Sequence, residues 1–504
     1  MANKLLTKSN YLLGLQCPKL LWVTKNNKER IPEPDYSAKH NFEMGDIIGV
    51  LATKVFPKGI DLANLDFKEN IEKTKEAIKS RKTIYEAGIL TDDVYSRADI
   101  LLPVGEDEWD IIEVKNATKV KDVNIHDVSF QKHVYEKAGL KIRKCFLMHI
   151  NNEYIKDGEI GPEELFIQTE INDKVEEYSE GIEERIQEMH KIINSKKEPS
   201  CKIGVSCSDP YECSLKCECW KDVPKDSVFD FYRMFKKKCF ELYDGGIVCL
   251  SDVPESTKLN DKQQIQRRLA CEAASPKDMT HEGPKHIDKT EINNFLRNLK
   301  YPLYYLDFET INPAIPKFDG MKPYQRIPFQ FSLHIQKEEG GECEHISFLA
   351  EGTSDSRPKF MQTLKDNLGD SGSILVYNQG FEKGVMKEGC EALPEFKGWY
   401  GDNIEPRIKD LLDVFRNFHY YDPKQCGSAS IKKVLPCLTN LKYDDLEIGE
   451  GMFASLEYER VTFGDVDDAE RKKVRDALEK YCELDTLAEV EIVKELLGVV
   501  DDGD

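Results

Sequence analysis

The stretch Tyr301–Asn312, YPLYYLDFETIN, constrains this chain most, because it is an apolar strand that carries two acids at alternate positions. Strand side chains alternate between faces, so Asp307 and Glu309 share one side. Two carboxylates in an otherwise buried strand need a cation or hydrogen-bond partners to offset their desolvation. A second stretch makes a related demand. Arg97–Lys115, RADILLPVGEDEWDIIEVK, reads as two strands joined by a polar turn, with Asp99 on the first. On the second strand Glu113 and Lys115 share one face while Ile112 and Val114 point to the other. Such a group suits a divalent cation held by Asp99 and Glu113, with Lys115 beside an attacking water or the charge developing on a phosphate. Taken alone, the same residues also suit an ordinary charged surface hairpin.

The chain has 504 residues, enough for two or three cored domains, and its 40% hydrophobic and 10% aromatic content belongs to globular material. It contains no uninterrupted apolar run of membrane-spanning length. The N-terminal residues lack the apolar core and small-residue cleavage site of a signal peptide. These features predict a cytoplasmic protein with no membrane association. The net charge of -21 is uneven: residues 1–150 are close to balance, and the remainder is acidic. An acidic total does not exclude nucleic acid, which a local basic patch and metal ions can hold.

The pattern predicts two short helices in residues 1–60, at YLLGLQCPKLLW and NFEMGDIIGVLATKVFP. An amphipathic helix over 68–82 and a strand at IYEAGIL precede the hairpin. After it come the helix HDVSFQKHVYEKAGL, with Gln131 and Tyr135 on one face, and the strand KIRKCFLMHIN. Between Asn172 and Lys197 the residues Val175, Tyr178, Ile182, Ile186, Met189 and Ile193 recur at helical spacing, which predicts one amphipathic helix. Residues 221–298 read as a helical connector, in which the lysines at 236–238 suit a solvated helix face. Beyond YPLYYLDFETIN, strands are expected at PFQFSLHIQ, HISFLA and SILVYN, with a helix after FEKGV. A long helix around RKKVRDALEKYCELDTLAEVEIVKELL follows, placing Tyr481 and Asp485 one turn apart on one side. The sequence ends in a short acidic tail, DDGD.

Fifteen cysteines in a cytosolic chain do not predict a disulfide framework. Most, such as Cys145, Cys249 and Cys482, read as small core residues. Five, however, fall between Cys201 and Cys219. The spacing Cys207-x5-Cys213-x5-Cys219 lacks the paired CxxC knuckles and histidines of a zinc finger, and so favours an iron–sulfur cluster, with Zn2+ as the alternative. Cys17 is the candidate fourth thiolate, with Cys201 and Cys217 as substitutes.

Together these residues resemble known families. Residues 1–220 resemble the RecB-like branch of the PD-(D/E)XK nucleases, in the type where one cysteine precedes the nuclease core and three follow it. The resemblance rests on Cys17, Asp99 in RADIL, Glu113 and Lys115 in EVK, Gln131 and Tyr135 as QxxxY, and Cys207, Cys213 and Cys219. It implies an α/β restriction-endonuclease-like core stapled by a 4Fe-4S cluster. It also implies Mg2+ or Mn2+ at Asp99 and Glu113, Lys115 as a catalytic residue, and Gln131 and Tyr135 near a nucleic-acid strand. The family's early histidine ligand has no clear counterpart: His40 is nearest, and Glu43 or Glu86 could serve instead.

Residues 299–504 resemble the DnaQ-like 3'-5' exonucleases of the DEDD group, through LDFET, YNQGFEKG and YCELD. That implies an RNase H-like mixed sheet with flanking helices and two divalent ions held by Asp307, Glu309, Glu382 and Asp485. Tyr481 would orient or deprotonate water. Glu382 stands where the family usually has Asp, and Asp410 is the alternative ligand. The order of these parts is similar to a prokaryotic group of RecB-like/DnaQ-like fusions. The expectation is therefore a metal-dependent nuclease with two centres, acting on DNA with free or single-stranded ends, with a helicase or a repair or defence protein as possible partner. The alternatives are a nucleic-acid-binding scaffold in which one or both centres do not cut, and an exonuclease that trims RNA.

Overall fold

The computed structural model describes residues 4–274 and 283–501, which fall into two compact units. Unit 1 comprises Met1–Asp222 with Ala314–Tyr324, and unit 2 comprises Val223–Pro313 with Gln325–Asp504. The stretch 221–298 is therefore not a separate connector, because all but its first two residues belong to unit 2. Residues 275–282 of that stretch and the acidic tail after Asp501 lie outside the described residues.

Unit 1 is built on a seven-stranded mixed sheet. Its strands are β1 (Leu6–Thr7), β2 (Ile60–Asp61), β3 (Ile84–Thr91), β4 (Val94–Val104), β5 (Glu108–Lys115), β6 (Lys141–Ile150) and β7 (Phe166–Glu170). They run in the order β2-β3-β4-β5-β6-β7, and β1 lies parallel to β4. The strands β3, β4 and β5 pair antiparallel, whereas β5 and β6 are parallel and need a crossover. The helix Asp122–Lys137 supplies it. Alternation along β5 sorts its residues between two cores: Ile111 packs with Val128, Phe130 and Val134 of the crossover helix, while Ile112 and Val114 pack with Ile48 and Ala52 of the helix Tyr36–Thr53. Glu113 is thereby set on the crossover-helix side.

Two helical expectations in unit 1 are corrected. The segment YLLGLQCPKLLW is two helices, Lys8–Gln16 and Pro18–Asn26, hinged at an extended Cys17 (φ -160, ψ 123). Pro18 forces the break, since a proline suits the first helical position and no interior one. Likewise Asn172–Lys197 divides into Asn172–Ser179 and Ile182–Asn194 at Gly181, whose φ of 68 is left-handed. The apolar stripe survives that break, with Val175, Ile182, Ile186, Met189 and Ile193 all buried.

Unit 2 contains β8 (His286–Ile287) and a five-stranded sheet of β9 (Leu303–Ile311), β10 (Ile327–Gln336), β11 (Cys343–Leu349), β12 (Ser373–Val376) and β13 (Ile408–Asp410). The order is β11-β10-β9-β12-β13, antiparallel on the β10 side of β9 and parallel on the β12 side. A further strand, β14 (Tyr420–Tyr421), pairs with β8. The long helix Asp468–Asp501 packs across β9 and β10. Its buried face carries Tyr481, Cys482, Asp485 and Glu489. Among the described residues no helix is long and apolar enough to cross a membrane.

Candidate functional site

In unit 1, three carboxylates and two ammonium groups meet between β4, β5 and the crossover helix. Glu113 is 1% exposed. Its Oε1 accepts from Lys115 Nζ at 2.5 Å and Lys8 Nζ at 2.8 Å, and its Oε2 accepts from Gln131 Nε2 at 2.5 Å. Asp127, one turn before Gln131, accepts from Lys115 at 2.8 Å and lies 3.4 Å from Lys8. Asp99 Oδ2 accepts the Val114 N–H at 2.7 Å, filling a place where the β4–β5 ladder has not yet begun. Burial, with Asp127 and Asp99 adding their charge, pushes Glu113 up to about 7. Burial raises Asp99 as well. Asp127 is equally desolvated, yet Lys115 and Lys8 outweigh burial and hold it well below the usual carboxylate range.

These groups open onto a cleft of about 1060 Å³, whose lining includes Lys8, Glu86, Arg97, Asp99, Glu113 and Lys115. Of the alternatives for an early ligand, Glu86 lines the cleft, whereas His40 and Glu43 lie outside its lining. Glu86 has a left-handed φ of 55 and stands between the β3–β4 pairs Tyr85–Ile100 and Ala87–Ala98, opposite Asp99. Arg97 Nε binds its Oε2 at 2.6 Å.

Gln131 and Tyr135, expected beside a nucleic-acid strand, are fully buried instead. Gln131 holds Glu113. The Tyr135 hydroxyl accepts the Ala98 N–H at 3.0 Å and donates to Ala87 O, tying the helix to β3 and β4. Tyr135→Phe is therefore expected to destabilise unit 1 by about 1–3 kcal/mol, the cost of leaving buried backbone groups unsatisfied. Urea unfolding would measure this, and nucleic-acid affinity should not change. A loss of affinity at wild-type stability would contradict the structural role.

The sequence reading missed Lys8 and Asp127. Asp127 carried a signal, standing four residues before Gln131 on the same helix face. Lys8 carried a fainter one, because a cation in the first turn of a helix opposes the macrodipole and implies acids elsewhere to hold it.

In unit 2, Asp307 and Glu309 from β9 and Asp485 from the long helix place ligand oxygens within 4.8 Å of one another. Burial and the charge of Asp485 hold Asp307 well above the carboxylate range, and burial with Asp307 and Asp485 does the same for Glu309. Burial raises Asp485 to about 6, against the opposing pull of Tyr443 and Lys432. Tyr443 OH donates to Asp485 Oδ1 at 2.6 Å, and Cys482 Sγ donates to Asp307 Oδ2 at 3.7 Å. Cys482 is thus at the site as well as in the core.

Glu382 lies in the first turn of the helix Gln379–Ala392, buried, with Oε2 lacking a hydrogen-bond partner. Burial and Asp307 raise it. Asp410, its alternative, is already saturated: Oδ1 accepts the N–H groups of Asn378 at 2.9 Å and Leu412 at 3.1 Å, and Oδ2 accepts from Arg416 Nη2 at 2.9 Å. Glu382 is consequently the available carboxylate. Glu489, one turn beyond Asp485, is a fifth buried acid whose Oε2 lacks a partner. An acid on the buried stripe of the last helix was the overlooked signal.

Tyr481 is 4% exposed, and its hydroxyl accepts from Lys432 Nζ at 3.3 Å. A Cβ added at Gly451 would lie 3.5 Å from both Glu309 oxygens and 3.7 Å from the Tyr481 hydroxyl, so both groups border one small space. Burial and the surrounding carboxylates push the phenol far above its ordinary value. Its hydroxyl can orient a water in that space. Among the described residues this spot gathers four buried carboxylates and the half-buried Asp307 with the ammonium of Lys432, and Glu382 Oε2 and Glu489 Oε2 lack hydrogen-bond partners. That donor set fits hard divalent cations such as Mg2+ or Mn2+. The unit 1 set is different, because its two lysines already compensate three acids. A cation at Asp99 and Glu113 would compete with Lys8 and Lys115 for Glu113 Oε1.

The cysteines form a third group, in unit 1. Cys17, at the hinge before Pro18, packs with Cys213 and Cys219 around Leu20, Val23 and Leu215. Cys213 feels the charge of Cys17, Cys207 and Cys219, and Cys17 shares a hydrogen bond with Cys201. Cys217 is exposed, so of the two substitutes Cys201 is the one beside Cys17. Gln16 Nε2 donates to Ser206 O at 2.8 Å and Tyr211 O at 2.7 Å, fastening the cysteine loop to the first helix. Cys213 N–H donates to Cys207 O at 2.9 Å, and Gly204 N–H donates to Cys207 Sγ at 3.5 Å.

Residues 304–430 match a family model described as a domain of unknown function, DUF2779. The chain is 28% identical over 223 residues to the "Uncharacterized protein MG366" of Mycoplasma genitalium, covering 40% of this chain and 33% of that protein. It is 25% identical over 228 residues to the "Uncharacterized protein UU173" of Ureaplasma parvum, covering 40% and 32%. The chain thus spans about a third of the length of the curated relatives it matches.

Proposed function

We propose that the chain is a metal-dependent nuclease whose principal centre lies in unit 2. The observation that carries this reading is the convergence of Asp307, Glu309 and Asp485, with Glu382 beside them, on one buried spot. The order β11-β10-β9-β12-β13, with the acid-bearing strand in the middle, supports an RNase H-like sheet of the DnaQ type. A divalent ion held by these carboxylates would supply a water of lowered pKa and stabilise charge on the scissile phosphate. Tyr481 would position that water through its hydroxyl, while Lys432 holds the Tyr481 oxygen. Tyr443 fixes Asp485 through Oδ1.

Unit 1 is the second centre, of the RecB-like type, with Asp99, Glu113 and Glu86 facing its cleft and Lys115 and Lys8 as its cations. One observation favours a second reading for this unit, in which it grips nucleic acid without cutting: both lysines already occupy Glu113. The substrate is nucleic acid with free ends, DNA before RNA, and the setting is cytoplasmic. Labelled single- and double-stranded DNA and RNA, incubated with Mg2+ or Mn2+, provide the test. Asp307→Asn and Asp99→Asn should remove separable activities. Absence of cleavage by the wild-type chain on every substrate would refute the nuclease reading.

The cysteine group is read as a 4Fe-4S site. The spacing Cys207-x5-Cys213-x5-Cys219, without CxxC pairs or histidines, favours a multi-iron cluster over zinc. Anaerobically purified protein should be coloured and carry about four iron atoms per chain. Cys207→Ser should lose the colour and lower the thermal midpoint of unit 1, because the cluster ties the first hinge to the loop after the helix Ile182–Asn194. A colourless chain with one zinc would overturn this assignment.

A further inference from the structure

We propose that His334, His345 and Glu483 form a separate site for a transition-metal dication of the zinc class, on the face of the unit 2 sheet that carries the long helix. The three residues each offer a ligand atom within 4.8 Å of the others. His334 and His345 are directly opposed across the antiparallel β10–β11 pair, and their rings stack with centroids 4.4 Å apart. Glu483 stands on the long helix, with an oxygen 3.7 Å from His345 Nδ1.

A chain of hydroxyls backs the two rings. Thr486 Oγ1 lies 3.2 Å from Glu483 O, 2.6 Å from Ser332 Oγ and 2.9 Å from His334 Nδ1. Ser332 Oγ in turn lies 2.9 Å from His345 Nε2. With Thr486 donating to Glu483 O and Ser332 to Thr486, each imidazole is protonated on the nitrogen that faces the hydroxyls, and the lone pairs of His334 Nε2 and His345 Nδ1 are left for a metal. Outer hydrogen bonds that set the tautomer are what zinc-ligating histidines use.

Two imidazoles and one carboxylate match a three-ligand zinc set whose fourth position is left to solvent, and imidazole donors select Zn2+ over Mg2+. His334 is buried while His345 and Glu483 reach the surface, so the ion can enter from solvent. Occupancy would pin the β10–β11 hairpin to the helix that carries Tyr481 and Asp485. The ion would serve as a structural clamp distinct from the carboxylate centre.

Calorimetric titration of the full chain with Zn2+, in excess Mg2+, reads this directly. The expected result is one zinc site that weakens on the order of 100-fold in His345→Ala and in Glu483→Gln, both surface changes. The site should persist in Asp307→Asn and Cys207→Ser. Zinc should also raise the thermal midpoint of the wild type but not of His345→Ala. Equal zinc binding by wild type, His345→Ala and Glu483→Gln would overturn the proposal. So would a wild type whose only zinc sites disappear with Asp307→Asn or Cys207→Ser.

Discussion

Glu309→Gln and Asp307→Asn should each reduce cleavage by the unit 2 centre on the order of 10³-fold, with little change in the affinity for nucleic acid. Both substitutions keep the shape of the side chain and remove only its charge, so the loss would report on electrostatics and not on packing. The activity should fail at saturating substrate, as expected when a group acts on the developing charge of the transition state. Steady-state rates over a Mg2+ series would measure it. Rates within a few-fold of wild type in both variants would remove these residues from the chemistry.

The same variants should be more stable than wild type when a chelator is present. Burial and neighbouring carboxylates, Asp485 for both and Asp307 for Glu309, raise Asp307 and Glu309, so the folded chain holds their protons more tightly than the unfolded chain does. Whatever stability these groups lend is present at low pH and is lost as the pH rises through their folded values. An amide does not titrate, and the gap between variant and wild type should therefore widen with pH. Mg2+ should close it by supplying the missing countercharge. A site that destabilises the fold until a cation binds is unlike an ordinary buried ion pair.

Much of this was legible in the sequence where a local period met a chemical anomaly. Acids at alternate positions of an apolar strand predicted that Asp307 and Glu309 share a face, and β9 is buried along most of its length. The hairpin Arg97–Lys115 was readable for the same reason. What was not legible depended on distant segments. Asp127 and Lys8 join Glu113 only because the crossover helix and the first helix flank β5, and no spacing in the sequence states that. The choice between Glu382 and Asp410 also needed three dimensions, since one of the backbone donors to Asp410 comes from Asn378, 32 residues away. Gly181 shows a further limit. A left-handed residue broke a helix without disturbing its apolar stripe, so periodicity alone reported one element where there are two.

Unit 1 yields the other large effect. If its centre cuts, Glu113→Gln should abolish its activity, by about 10²-fold or more. The wild-type requirement for Mg2+ should depend on pH in a defined direction. Glu113 keeps its proton up to about 7, because burial and the charges of Asp127 and Asp99 favour the neutral form. A cation can take that oxygen only after the proton leaves. The Mg2+ concentration needed for half-maximal activity should therefore fall as the pH rises through about 7 and climb below it. Lys8→Met should lower that concentration at a given pH, since it removes an ammonium that rivals the cation for Glu113 Oε1. The binding-only reading makes the opposite forecast. Under it Glu113→Gln changes no rate, and Lys8→Met weakens the grip on nucleic acid by removing a positive charge from the cleft. Measuring cleavage and affinity for the two variants, in a chain whose unit 2 centre is silenced by Asp307→Asn, decides between them.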